Sequence, residues 1–181
     1  MGLAGKAVAD RAVSSCPSMK KAAVFSGTGN NGGDGFVAAF FLTMYGRQVD
    51  VFLVGDENRI SETSRVYFNL CRKSGIRITA FDTSIDLGGY DCIVDAILGT
   101  GFAGAVRGPA DGAIRAINDA DVFVVAVDVP SGLPSDGAAP ESEAVGADCT
   151  VTIGLPKLSL VTYPGKEYTG TLHVADIGFP R

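Results

Sequence analysis

The sequence predicts an α/β fold on a mainly parallel sheet, from two observations. Short apolar runs alternate with helix-spaced segments along the chain. Those runs are continuous in Val, Ile, Ala and Phe, the pattern of strands covered on both faces. A third observation concerns function. Glycine is abundant, at 24 of 181 residues, and it collects in loops after the apolar runs, where backbone can approach a ligand.

Residues 3–13 space Ala4, Val8 and Val13 along one helical face. Ala22–Ser26 reads as a buried strand between Lys21 and Gly27. A glycine-rich loop follows, and Asp34 is the expected cap of a helix over Gly35–Tyr45, ended by Gly46. Val49–Val54 is the next strand. Glu62–Ser74 is a helix closed by Gly75, and Ile76–Thr79 is a short strand. The second half repeats this grammar. Cys92–Val94 is a strand ending at Asp95, followed by a loop holding Gly99, Gly101, Gly104 and Gly108. Pro109 suits a first helical turn and opens a helix over Ala110–Ile117. Phe123–Val127 is a strand ending at Asp128, and Cys149–Ile153 and Thr171–Val174 are later strands. The stretch from Ser131 to Ala139 is a loop, and residues 1–181 read as one domain.

Hydrophobic residues make up 46% and charged residues 19%, a globular composition. Net charge is -5, and Lys20-Lys21 and Arg72-Lys73 are isolated pairs, so no basic stripe for nucleic acid is present. Cys16, Cys71, Cys92 and Cys149 lack CxxC spacing and are expected as free thiols in a reducing compartment. A single histidine, His173, excludes a zinc site of histidines and is expected in the core or on a sheet edge. Any metal would need oxygen ligands. No apolar run approaches the roughly 18 residues of a membrane span, and no signal peptide is apparent. The expected location is the cytoplasm.

In an open parallel sheet, ligands bind beyond the carboxyl ends of the strands. Three segments fall there: Gly27–Gly35, Asp95–Gly104 and Asp128–Gly132. Gly27-Thr28-Gly29-Asn30-Asn31-Gly32 matches GxGxxG between a strand and a helix, a weak pattern with a clear mechanism. Its backbone N–H groups and the helix N-terminus suit a phosphate. A tight turn without ligand explains the bare pattern too, but two asparagines and Asp34 are more polar equipment than a turn requires. A hydride-transfer site wants an acid about 20 residues on; Asp56 comes later than that, and no GxxxxGK[ST] is present.

Asp95 lies among apolar residues, where burial raises a carboxyl pKa and suits proton transfer. It reads equally as a hydrogen-bond anchor for the glycine loop. Asp128, before Val129-Pro130-Ser131-Gly132, suits a substrate hydroxyl or a hard cation, and equally an Asx-type turn. Ser131 lacks the GxSxG context of a hydrolase nucleophile. Lys157, in Gly154-Leu155-Pro156-Lys157, faces an anionic ligand or solvent, with solvent preferred.

Five segments recur in a known order: Gly29–Gly35 (GNNGGDG), Val94–Gly101 (VDAILGTG), Val127–Gly132 (VDVPSG), Thr152–Lys157 (TIGLPK) and Val174–Gly178 (VADIG). Together they closely resemble the NAD(P)H-hydrate epimerase family, the YjeF N-terminal domain, over essentially the whole chain. The resemblance implies a Rossmann-like three-layer α/β/α sandwich, a homodimer and a bound potassium ion. It implies NADHX or NADPHX as substrate, the reduced coenzyme hydrated on its nicotinamide ring. The family interconverts R and S epimers so that a partner dehydratase can restore the coenzyme. Carried over by position, Asn30, Asn31, Gly32, Gly33, Asp34, Gly99, Thr100, Gly101, Phe102, Ala103, Gly104, Ala105 and Asp128 would contact substrate. Asn31, Asp95 and Ser131 would hold the cation, and Asp95 would be the acid/base. The family commonly has another helix before the segment matching Met1–Val13, often Glu where Gly2 stands, and a Pro-Gly pair where Leu158-Ser159 stands. The alternatives are a non-catalytic dimerising scaffold of the same fold and a different nucleotide enzyme. Retention of Asp34, Asp95 and Asp128 counts against the scaffold.

Overall fold

The computed structural model describes residues 1–178. Seven strands form one parallel sheet: β1 (Lys21–Ser26), β2 (Gln48–Leu53), β3 (Arg77–Ala80), β4 (Cys92–Ala96), β5 (Phe123–Val127), β6 (Cys149–Ile153) and β7 (Thr171–Ala175). Their spatial order is β3-β2-β1-β4-β5-β6-β7. The chain runs outward from β1 to β3, returns to the other side of β1 as β4, and runs outward again. The order therefore reverses between β1 and β4, the place where open α/β sheets leave a crevice for ligands.

The helices are α1 (Gly2–Ser15), α2 (Asn30–Met44), α3 (Glu62–Lys73), α4 (Pro109–Asp119) and the short α5 (Lys166–Thr169). One face of the sheet carries α1, α2 and α3, whose Val8, Phe36, Leu42 and Phe68 meet Val24, Val51 and Val94. The other face carries α4, whose Ile114 and Ile117 meet Phe25, Ile93 and Val124. Alternate side chains of each central strand supply the two cores, which explains the continuous apolar runs. The expected three-layer arrangement is thus present.

Boundaries depart from expectation in a few places. Asp95 lies inside β4 rather than beyond it, and β3 is displaced one residue along. The turns Glu57–Arg59 and Leu158–Leu160, and α5, carry no periodic apolar signal and were not expected. The largest difference is α2, which starts at Asn30 with Gly29 as its N-cap, so Asp34 sits within the helix and is not its cap. Helix propensity argues against opening on NNGGDG, yet close packing rewards it. A Cβ on Gly32 would stand 1.9 Å from the Gly27 carbonyl oxygen, and one on Gly27 would stand 2.0 Å from the Ile97 carbonyl oxygen. The glycines let α2, the end of β1 and the end of β4 touch backbone to backbone.

The four cysteines are free, with Cys71, Cys92 and Cys149 buried and Cys16 half-buried. His173 sits on the edge strand β7, where burial and the Arg11 charge lower its pKa. Among the described residues, no helix is long and apolar enough to cross a membrane.

Candidate functional site

A cleft of about 760 Å³ opens over the carboxyl ends of the strands at the β1/β4 break. Three loops build it, and sheet register sets them at one height. Ser26 pairs with Ala96 across β1 and β4, and Asp95 pairs with Ala126 across β4 and β5. The first wall is Gly27–Asn31 with Asp34; the second is Ile97–Phe102; Asp128 comes from the end of β5.

Hydrogen bonds from the N-cap and first turn of α3 hold the first wall. Ser64 Oγ donates to the Gly29 carbonyl (3.0 Å) and Ser61 N–H donates to the Thr28 carbonyl (2.8 Å). Ser61 Oγ also donates to Asn30 Oδ1 (3.2 Å). Neither serine was marked in the sequence; Ser61 is the N-cap of α3 and Ser64 lies in its first turn. The walls are stitched together by Asn31, whose Nδ2 donates to the Leu98 carbonyl at 3.0 Å and leaves Oδ1 without a donor among the described residues.

Asp95 lies under the second wall and is fully buried. Its Oδ2 accepts from Ser131 N–H (2.8 Å); its Oδ1 accepts from Ser131 Oγ (2.6 Å) and Ile97 N–H (3.3 Å). Ser131 Oγ in turn accepts from Leu98 N–H at 2.9 Å. Of the two readings open for Asp95 in the sequence, this geometry is that of the anchor. It ties the loops after β4 and β5, and it does not line the cleft. Burial pushes its pKa up to about 6 against the lowering effect of those hydrogen bonds.

Asp34 does line the cleft. It is 8% exposed; its Oδ1 accepts no hydrogen bond among the described residues and lies 3.8 Å from the N-terminal ammonium of Met1. Burial pushes its pKa up to about 6 against the lowering effect of the Met1 ammonium, with the charge of Asp128 adding to the rise. Asp128 stands at φ 68, the left-handed region that a non-glycine residue rarely adopts. The turn around it closes with Val129 N–H donating to the Val127 carbonyl at 2.8 Å, a γ-type turn. Strain of this kind collects at functional sites. The side chain does not stabilise its own turn, as an Asx turn would. Its Oδ1 accepts from Ile153 N–H (3.1 Å) and forms an ion pair with Lys157 Nζ. Lys157 also donates to the Ile153 carbonyl (2.9 Å) and Thr152 Oγ1 (3.1 Å). The preference for solvent at Lys157 is therefore overturned. Its ammonium folds back over the end of β6, a contact its position a few residues past that strand permits.

Of the residues carried over from the resemblance, Asn30, Asn31, Asp34, Gly99, Thr100, Gly101, Phe102 and Asp128 line the cleft. Gly32 and Gly33 do not; they are buried packing positions, with a Cβ on Gly33 falling 2.4 Å from Ser64 Oγ. Ala103, Gly104 and Ala105 lie outside the lining residues, whereas Arg107, Pro109 and Ala110 are among them. Arg107 was missed; its signal was a cation in a glycine loop just before a helix-opening proline.

The donor set around Leu98 is one carboxylate, Asp95, with neutral oxygens from Asn31 and Ser131. Such a set fits a weakly held monovalent cation better than a site rich in carboxylates would. Among the described residues no three His, Cys, Asp or Glu side chains stand together to hold a metal.

The model of the family described as YjeF-related protein N-terminus matches residues 1–159. The bifunctional NAD(P)H-hydrate repair enzyme Nnr of Thermofilum pendens is 40% identical over 184 residues, covering 98% of this chain and 35% of the relative. The NAD(P)H-hydrate epimerase of Levilactobacillus brevis is 42% identical over 161 residues, covering 88% of this chain and 74% of the relative. The chain thus spans about a third of the bifunctional relative and about three quarters of the other. The crystal structure of yeast ynu0 superposes with a TM-score of 0.84 at 26% identity, covering 99% of this chain and 79% of that one. Sequence match, strand order and cleft position agree, and the chain belongs to the YjeF-related protein N-terminus family.

Proposed function

We propose that this chain interconverts the R and S epimers of hydrated NADH and NADPH in nicotinamide-nucleotide repair. The observation that carries the reading is a cleft at the β1/β4 break with a phosphate-type helix entrance at Gly27–Asn31 and a protonatable carboxyl, Asp34, in its wall. Relatives at about 40% identity named for NAD(P)H-hydrate epimerisation and repair support it.

The hydrated ring carbon carries a hydroxyl and adjoins the ring nitrogen. Asp34 in its acid form gives a proton to the hydroxyl oxygen. The C–O bond breaks, water leaves with the bonding pair, and the nitrogen lone pair stabilises the ring cation. Water then adds to the opposite face, and the proton it sheds returns to the Asp34 carboxylate. Atoms and charge balance, with no oxidant or reductant.

The sequence favoured Asp95 for this exchange. Its complete burial, with both oxygens already hydrogen-bonded, supports a positioning role instead. Asp128, clamped by Lys157 through Oδ1, keeps Oδ2 for a substrate hydroxyl. Potassium is the proposed cofactor, held by Asn31, Ser131 and Asp95. When bound it supplies positive charge beside Asp95 and strengthens the tie between the loops. A homodimer, a cytoplasmic location and a functional link to a dehydratase complete the proposal; the fused repair relatives support the last.

The test is to supply pure R hydrate and follow S formation by chromatography, with and without potassium. Turnover well above the spontaneous rate, falling about 10²- to 10⁴-fold in Asp34→Asn, is expected. A wild-type rate equal to the spontaneous one would leave the scaffold reading ahead. Unchanged turnover in Asp34→Asn would remove Asp34 from the mechanism.

A further inference from the structure

The two coenzyme hydrates differ only in the 2′-phosphate of the adenosine ribose, and four observations bear on that group. Arg107 is exposed, lines the cleft, and makes no ion pair among the described residues. Its backbone is held in place: the preceding Val106 is buried and its N–H donates to Ser142 Oγ at 2.9 Å. Gly108, at φ 63, then turns the chain into α4, whose Pro109 and Ala110 line the cleft together with Arg107. Finally, the end of β2 contributes Val54 and Gly55 to the cleft but no carboxylate. Asp56 there turns away, with Oδ1 accepting from Asn58 N–H (2.9 Å) and Nδ2 (3.0 Å).

The pyrophosphate has a place at the N-terminus of α2, on the Gly27–Asn31 wall. Arg107 comes from the other loop, after β4, and is an anion contact separate from that wall. Sites that take the unphosphorylated coenzyme place an acid at the end of β2 to accept from the ribose diol; sites for the phosphorylated form present an arginine. This cleft has the arginine and lacks the acid.

Resting on the epimerase reading above, we propose that Arg107 is the specificity-determining residue of the cleft. It binds the ribose phosphate and makes the 2′-phosphorylated hydrate the preferred substrate. A charge-assisted contact between guanidinium and phosphate corresponds to roughly 10- to 100-fold in affinity at low salt.

The experiment measures binding of the unhydrated probes NADP⁺ and NAD⁺ by titration calorimetry at low ionic strength, for wild type, Arg107→Leu and Arg107→Lys. The ratio of kcat/KM for the two hydrates is measured alongside. Wild type should bind NADP⁺ at least about tenfold tighter than NAD⁺. Arg107→Leu should bring both ratios close to one, and Arg107→Lys should keep part of the preference. Circular dichroism of each variant controls for folding. The proposal falls if wild type binds the two probes equally, if it binds neither, or if Arg107→Leu keeps the ratio. It also falls if Arg107→Leu weakens both probes alike, since the contact is then to the shared pyrophosphate. Discrimination through Arg107 in a protein without epimerase turnover would uphold the phosphate contact and overturn the epimerase reading instead.

Discussion

At the residue scale, the proposed role of Asp34 rests on where its carboxyl lies. It is largely buried and near Asp128, two conditions that favour the neutral acid, and they outweigh the opposing charge of the Met1 ammonium 3.8 Å from Oδ1. Its pKa of about 6 in the fold stands above the ordinary 3.8. The folded state therefore binds this proton more tightly than the unfolded chain, and the contribution to stability falls as pH rises from about 4 to about 6. Asp34→Asn should flatten that part of the stability-pH curve, measured by urea unfolding between pH 4 and pH 7. Wild-type kcat, needing the acid form, should decline above about pH 6; a kcat flat to pH 8 would separate Asp34 from the proton transfer. At this scale the sequence singled out three aspartates but not which of them face the cleft. Burial decides it, and Asp95, Asp34 and Asp128 look alike as letters after or near apolar runs. Lys157 and Arg107 were legible only as cations near glycines, because their partners arrive from elsewhere in the chain.

At the scale of elements, α2 is the unusual one. Five of its first six residues are Asn or Gly, poor helix formers. Its first turn forms because the glycines let it rest on the backbone of two strand ends, with Gly32 against Gly27 and Gly27 against Ile97. Gly32→Ala should push the helix off this seat and cost about 1–3 kcal/mol or more, as overpacking does, read as a fall in the urea midpoint. Because that seat forms one wall of the cleft, ligand affinity should fall along with stability. An alanine variant as stable as wild type would mean the contact relaxes without cost. Regular elements with uninterrupted periodicity, such as α3 and β5, were readable from the chain. The start of α2 was not, since propensity spoke against it and tertiary contact overrode it.

At the scale of the molecule, the strand order β3-β2-β1-β4-β5-β6-β7 brings loops from both halves of the chain to one crevice. A ligand there bridges Gly27–Asp34 and Ile97–Asp128, segments belonging to the two sides of the topological break. It binds only when both are in place, so it stabilises the folded state by mass action. NADP⁺ at about 100 times its Kd should add about 2.7 kcal/mol, a rise of roughly 5–10 °C in Tm. No shift in a thermal scan at that saturation would mean the cleft does not take the coenzyme.

The sequence by itself determined the layers and the glycine-rich loops at the strand ends, because continuous apolar runs and loop glycines are local signals. It also determined the family, whose motifs survive as short contiguous words. Only the tertiary structure decided which acids line the cleft and which is buried beneath it, that Lys157 pairs with Asp128 and Arg107 lines the cleft, and where α2 begins. Those outcomes depend on burial, hydrogen-bond partners and backbone contact between segments some 25 to 70 residues apart, and no local pattern records them.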